Sequence, residues 1–445
     1  MIHFPKDLYT DIRIETVYKT MILIENFQLK QKKVKEEKGA MIRIYDGSRW
    51  YYSATTDISA LQAEVDKLAE MAKPNPFINS DPIVKKFEVN KEAMLKYQDS
   101  NVSKISAGEK QSLLDTYVPV VKEFPQIKMS RIYYLDKYTE KQIISSKGTD
   151  VKFDSQYCCI TVRYRMQEGD TPHNGSRDIY EMEFKDLANR QDEIRAEINK
   201  DLQYCTKAVP VKPGVYTCVL SPVVTGVFAH ESFGHKSESD FMVGDETMKR
   251  EWQNGKVVGS QNLNIVDTGL IEGAGYVPFD DEGTKARTNY IVKNGVLTGR
   301  QHSCNTAMAI DEGLTGNARA VSFEYEPIVR MTTTYIEAGT QTMEELVSSI
   351  EEGIYIDSIK HGSGMTTFTI APNRAYMIRN GRIAEPVRIS VITGNVMKTL
   401  HEIDGFSNEV ELFSFPLGGC GKMEQFPLSV GFGGPYIRVN GINVQ

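Results

Sequence analysis

The chain has 445 residues, 40% of them hydrophobic and 25% charged, which is enough for two or three domains with real cores and unlike a disordered chain. Its 52 basic and 59 acidic residues leave a net charge of −7, which does not suit a dedicated nucleic-acid binder. No apolar run approaches the roughly 18 residues of a membrane span, and MIHFPKDLYTDIRIE has no signal-peptide core, so a soluble, multi-domain, cytoplasmic protein is expected.

In chain order, the first 100 residues read as α+β. MIRIYDGSRWYYS is a hairpin, with Asp46-Gly47 turning between Ile42/Ile44 and Trp50/Tyr52. Asp57 caps a helix whose apolar stripe is Ile58, Leu61, Val65, Leu68 and Ala72, closed by Pro74. A second helix starts at Ser106 with Glu109 in capping-box spacing, and kinks or stops before Pro119. Strands follow from about Ile127 to Phe184, with the polar stretch QEGDTPHNGSRD (167–178) as a loop. A long helix then covers roughly Lys185 to Lys207. AVPVKPG (208–214) marks the main boundary. The expected fold class is α+β: an N-terminal α+β region over 1–207, with a break near 95–105, and a strand-rich C-terminal domain over 208–445 carrying a metal-binding helix. Asn294-Gly295 and Asn380-Gly381 suggest hairpins in the second part.

The chemistry concentrates in SPVVTGVFAHESFGHKSESDF. Ser221 can cap a helix with Pro222 at its first position. His230-Glu231 and His235 then resemble the H-E-x-x-H zinc helix, but at five-residue spacing. The chance count of such a motif here is about 0.01. Five residues on an ideal α-helix rotate about 500°, leaving the imidazoles roughly 140° apart and unable to share a metal. A π-bulge or a loosened last turn would realign them, and Gly234 is where the helix could relax.

Six cysteines without a C-x-x-C pair read as buried thiols in a reducing compartment. Cys420 stands apart, because the glycines of GGCGK would expose its sulfur. A thiolate there is a strong zinc ligand, its pKa lowered by the metal and by Lys422. The remaining histidines, His3, His173, His302, His361 and His401, read as surface or satisfied core residues. No P-loop, G-x-S-x-G elbow or dinucleotide fingerprint is present. The acidic run PFDDEGT (278–284) reads as a solvated turn, with cation binding as the alternative.

Taken together, HESFGHKSESDF, GYVPFDDEGTKAR, NGVLTGRQHS, LTGNAR, RMTTTYIEAG and GGCGK resemble, in order, the TldD/PmbA family of zinc metalloproteases, historically described as modulators of DNA gyrase. GAMIRIYDGSRWYYSATTDIS is similar to its N-terminal region. The metal motif marks the TldD-like, active kind. The resemblance implies zinc (Zn2+) held by His230, His235 and Cys420, with Glu231 as general base. It implies unstructured peptides as substrates, and a homodimer or a heterodimer with a PmbA/TldE-like paralogue. No direct nucleic-acid or membrane partner is implied. Two other classes stay open: a cysteine hydrolase using Cys420, and a non-catalytic regulatory subunit of the same family.

Overall fold

Two strands three times the usual length open the chain: β1 (Tyr9–Glu25) and β2 (Gln28–Tyr45) pair antiparallel from Tyr9↔Tyr45 to Glu25↔Gln28. The computed structural model describes residues 2–168 and 171–445. Asn26 and Phe27 make the tight turn in left-handed conformation. The hairpin extends far beyond what the sequence pattern predicts. The first half of β2, QLKQKKVKEE, is almost wholly exposed, so it shows no apolar alternation, and its lysines discourage pairing with another edge.

β3 (Trp50–Thr55) joins β2 through the expected Asp46-Gly47 turn, where the Asp46 carboxylate accepts from the Ser48 and Arg49 N–H groups. β4 (Lys91–Met94), β5 (Ile127–Ser145), β6 (Asp150–Glu168) and β7 (Thr171–Glu181) complete a seven-stranded sheet in the order β3-β2-β1-β5-β6, with β4 and β7 both on β6. The loop expected over 167–178 is therefore mostly strand, with residues 169–170 outside the described ones. Its polarity is that of an outer strand: Asn174 and Gly175 pair with Arg165 and Tyr164. Gly175 lies where a Cβ would stand 2.1 Å from the Asp201 carboxylate.

Helices cover this sheet where the caps predict them. Asp57 caps a short 3₁₀ turn leading into helix Leu61–Ala69, and Ser106 forms a full capping box with Glu109 at the start of Ala107–Asp115. Pro119 sits in the first turn of a separate helix, Val118–Lys122. The long helix begins at Gln191, later than expected, because Asn189 is left-handed (φ 62°).

Beyond residue 208 the chain is strand-rich. Gly214–Leu220, Ile437–Val444, Ile392–Asn395, Thr367–Arg379 and Glu352–Gly364 pair in sequence, and the last pairs back to the first. The apolar core fills this closed sheet and the helix that leaves it at Pro222. Asn294-Gly295 and Asn380-Gly381 turn with all four residues at positive φ, as expected. A second, six-stranded sheet contains Thr333–Ile336, Gly431–Gly434 and the edge strand Glu411–Ser414. Gly431–Gly434 is buried and paired on both sides, so it cannot add a peptide strand. Its glycines admit the neighbouring helix: a Cβ at Gly226 would meet the Gly433 backbone at 2.5 Å.

The acidic run PFDDEGT is neither a solvated turn nor a cation site. Asp280, Asp281 and Glu282 are 1%, 3% and 4% exposed and join the two parts of the molecule. Asp281 meets Lys141 at 2.6 Å and Arg13 at 3.5 Å, and accepts from Ala320 N–H. Glu282 meets Arg43 at 3.1 Å and accepts from Cys304 N–H, while Asp280 accepts from three backbone N–H groups, of Glu282, Thr284 and Ala318. Asp281 and Glu282 are buried against cations, while Asp280 has backbone N–H donors only, and burial together with Glu282 pushes its carboxyl well up.

Candidate metal centre

Strand Gly214–Leu220 runs directly into helix Pro222–Ala229. Pro222 is at the first position as expected, but Ser221 does not cap it: its Oγ donates to the Asp357 carbonyl at 2.7 Å. His230–Gly234 is π-helical, with the His235 N–H donating to the His230 carbonyl, and a 3₁₀ turn follows over His235–Ser237. That i→i+5 bond brings residues five apart over one another and removes the 140° offset of a regular helix. The ring centroids of His230 and His235 are 5.1 Å apart. Gly234 has an ordinary helical φ of −54°. Its small size matters for packing: a Cβ would stand 1.9 Å from Met331 Sδ.

Cys420 comes from a separate hairpin, Cys420–Lys422 paired with Gln425–Leu428. Its Sγ lies 3.5 Å from His235 Nε2. One ligand atom each of His230, His235 and Cys420 lies within 4.8 Å of the others. The sulfur is not exposed by its glycines, as the sequence suggests; Cys420 is 3% exposed. The glycines serve a close approach instead, since a Cβ at Gly419 would meet the Leu428 carbonyl oxygen at 2.6 Å. Arg330, fully buried, donates to the carbonyls of Cys420 (2.8 Å) and Gln425 (3.2 Å) and holds the hairpin in place.

The electrostatics suit a ligand set. Burial raises the Cys420 thiol, but hydrogen bonds from His230 and His235 outweigh it and bring the pKa to about 5. Burial lowers His235, yet Cys420 and Glu238 together raise it to about 10. His230 Nδ1 is buried and has no hydrogen-bond partner. Glu231 makes no hydrogen bond or ion pair among the described residues, and burial raises its pKa, opposed by the two imidazoles.

Glu238 was not read from the sequence. Fully buried, it accepts at 3.1 Å from His235 Nδ1, which leaves Nε2 facing the sulfur. Its only sequence signal is the i,i+3 spacing in HKSE. Lys422, expected beside the thiol, reaches the Asp240 carboxylate at 2.6 and 2.7 Å and Glu238 at 3.3 Å, so it buttresses Glu238. The other histidines behave as expected. His3, His361 and His401 are exposed, and His173 and His302 are buried on Asp201 (3.0 Å) and Glu312 (2.9 Å). All six cysteines are buried.

Two imidazoles, a thiolate and an adjacent free carboxylate form a donor set suited to a metal-dependent hydrolase. The chain belongs to the PmbA/TldA metallopeptidase family: residues 213–445 match its C-terminal domain and residues 10–73 its domain 1. It is 30% identical to a metalloprotease of Synechocystis over 98% of this chain and 94% of that one. It is also 30% identical to a zinc metalloprotease TldD homolog of Saccharolobus solfataricus, over 72% of each chain. Its fold matches that of TldE from Thermococcus kodakarensis with a TM-score of 0.77, at 15% identity over 98% and 96% of the two chains. The protein is thus a metal-dependent peptidase. No helix among the described residues is long and apolar enough to cross a membrane.

Proposed function

We propose that His230, His235 and Cys420 hold one zinc ion and that Glu231 is the general base of peptide hydrolysis. The observation that carries this reading is the convergence of three donor atoms within 4.8 Å, from a helix and a distant hairpin, with His230 Nδ1 buried and unpartnered. The nitrogen and sulfur donors suit zinc, whose name the Saccharolobus relative also bears. Bound there, zinc supplies Lewis-acid polarisation and a lowered pKa for water.

The chain's own residues do the rest. Glu238 fixes the His235 tautomer through Nδ1 and leaves Nε2 free to ligate. Arg330 holds the Cys420 backbone. Glu231, raised by burial, takes the proton of the attacking water and returns it to the leaving amine. Unstructured peptides are the substrates that the family resemblance implies. The chain pairs with a second copy or with a PmbA/TldE-like paralogue. Phe415, Leu417, Met423 and Phe426, exposed around the Cys420 hairpin, support that reading. Division into units 1–207 and 208–445, with a break near 95–105, belongs to the same proposal.

Metal analysis with chelation tests it. One equivalent of zinc, activity lost to a chelator and restored by zinc is the expected result. Activity that survives complete metal removal would favour the Cys420–His235 pair as a thiol hydrolase, the alternative to which their 3.5 Å contact points.

A further inference from the structure

Between the long sheet and the C-terminal half lies a partly open cavity of about 110 Å³, room for a few waters or one small ion. Lys19, Lys137 and Ser155 line one wall, on β1, β5 and β6; Arg319 and Leu428 line the other. Most of the charge around it is matched. Lys141 meets Glu15 at 2.8 Å and Asp281 at 2.6 Å, and Arg13 backs both acids. Glu37 meets Lys19 at 3.8 Å and also Lys35. Glu324, at the exposed mouth, bonds Ser322.

Two cations are left over. Lys137 has no hydrogen bond and no carboxylate within 4 Å among the described residues, though it is half-buried. Burial first, then Lys19 and Lys141, pushes its pKa down to about 8, as expected of an ammonium without a counter-charge. Arg319 donates only to carbonyls, those of Met331 and Ser429, so its charge also has no acidic partner. Buried cations are ordinarily paired.

We propose that this cavity binds one small oxyanion, carboxylate or phosphate, between Lys137 and Arg319. A guanidinium and an ammonium facing each other across a small polar space suit a planar or tetrahedral anion. Two sources share that chemistry: the chain-end carboxylate of a peptide, and a free phosphate. The first has a structural argument, because Leu428 in the cavity wall is the register partner of Cys420.

Calorimetric titration of the full chain decides it, at low salt, with inorganic phosphate and with an acetylated tripeptide as free acid and as amide. Saturable one-to-one binding of phosphate or of the free acid is expected. Lys137→Gln should weaken it at least tenfold, Lys137→Arg should retain it, and exposed Lys67→Gln should leave it unchanged. Binding of the free acid but not the amide assigns the chain end; binding of phosphate alone assigns the free ion. No saturable binding of either anion, or binding undiminished by Lys137→Gln, overturns the proposal. If Lys137→Gln does not fold, crystals of the wild-type chain in selenate decide instead: an anomalous peak within hydrogen-bond reach of Lys137 supports the site, and its absence overturns it. None of these readings depends on peptidase activity or on the metal.

Discussion

Two buried polar clusters of the C-terminal half differ in what their atoms find. Asp280, Asp281 and Glu282 are consumed by Lys141, Arg13, Arg43 and five backbone N–H groups. His230, His235 and Cys420 face mainly one another, with a buried nitrogen unpartnered and a free carboxylate alongside. Both runs are conspicuous in the sequence, and acidity or ligand type alone would favour either as a metal site. The difference teaches that a cation site is recognised by donors left unsatisfied by the protein. A cluster whose lone pairs are already filled is a joint.

The largest effect should come from breaking the joint. Asp281→Ala leaves two buried cations, Lys141 and Arg13, sharing Glu15 alone and strands the Ala320 N–H, and should cost about 3 kcal/mol of stability, read by denaturant unfolding. Zinc content per folded chain should not change. If it falls with Asp281→Ala, the two clusters are not separate in the way the contacts indicate.

Next comes the centre itself. Glu231→Gln keeps size and removes the basic site, so peptide cleavage should fall by roughly 10²-fold while zinc stays bound. Cys420→Ser should instead lose the metal, because a hydroxyl is a poor ligand at neutral pH. Metal content and cleavage of an unstructured peptide, measured on both variants, separate the roles. Loss of zinc in Glu231→Gln would make Glu231 a ligand.

A smaller effect should follow from Glu238→Gln. The amide cannot accept the His235 Nδ1–H as a carboxylate does, so zinc affinity should drop by about 10- to 100-fold in a competition assay. Unchanged affinity would reduce Glu238 to a packing residue.

The smallest effect is a pH dependence. Burial raises Asp281, but Lys141 and Arg13 outweigh it and hold its carboxyl at about 2, below the unfolded value near 3.9. Its contribution to stability is therefore complete above about pH 4 and is lost as the pH falls through about 2. Unfolding of wild type and Asp281→Asn between pH 5 and 2 should show the wild type losing more. Parallel curves would mean the joint draws nothing from this charge.

Local signals were read correctly where they are self-contained. The capping box at Ser106, the Asp46-Gly47 turn and both Asn-Gly turns need only neighbouring residues. His230, Glu231 and His235 stand out because those residue types at that spacing rarely arise by chance, and the five-residue interval called for a π-bulge or a loosened last turn, of which the structure has the first. Cys420 stood out by its glycine-flanked loop and the family resemblance. The long β1–β2 hairpin was not legible, since one half of β2 is solvated on both faces and has no period. The 167–178 stretch failed for the related reason that an outer strand is as polar as a loop.

The sequence by itself determined the fold class and the irregular helix, because each rests on covalent spacing and side-chain type. Only the tertiary structure decided which polar groups are already satisfied. It buried PFDDEGT against three cations, turned Lys422 from the thiol to Asp240 and Glu238, and set Glu238 behind His235. It also left Lys137 with no carboxylate within 4 Å among the described residues, on a cavity that Arg319 lines too. Those outcomes depend on chain segments up to some 270 residues apart, such as Arg13 and Asp281, meeting in a medium without water to fill a missing hydrogen bond.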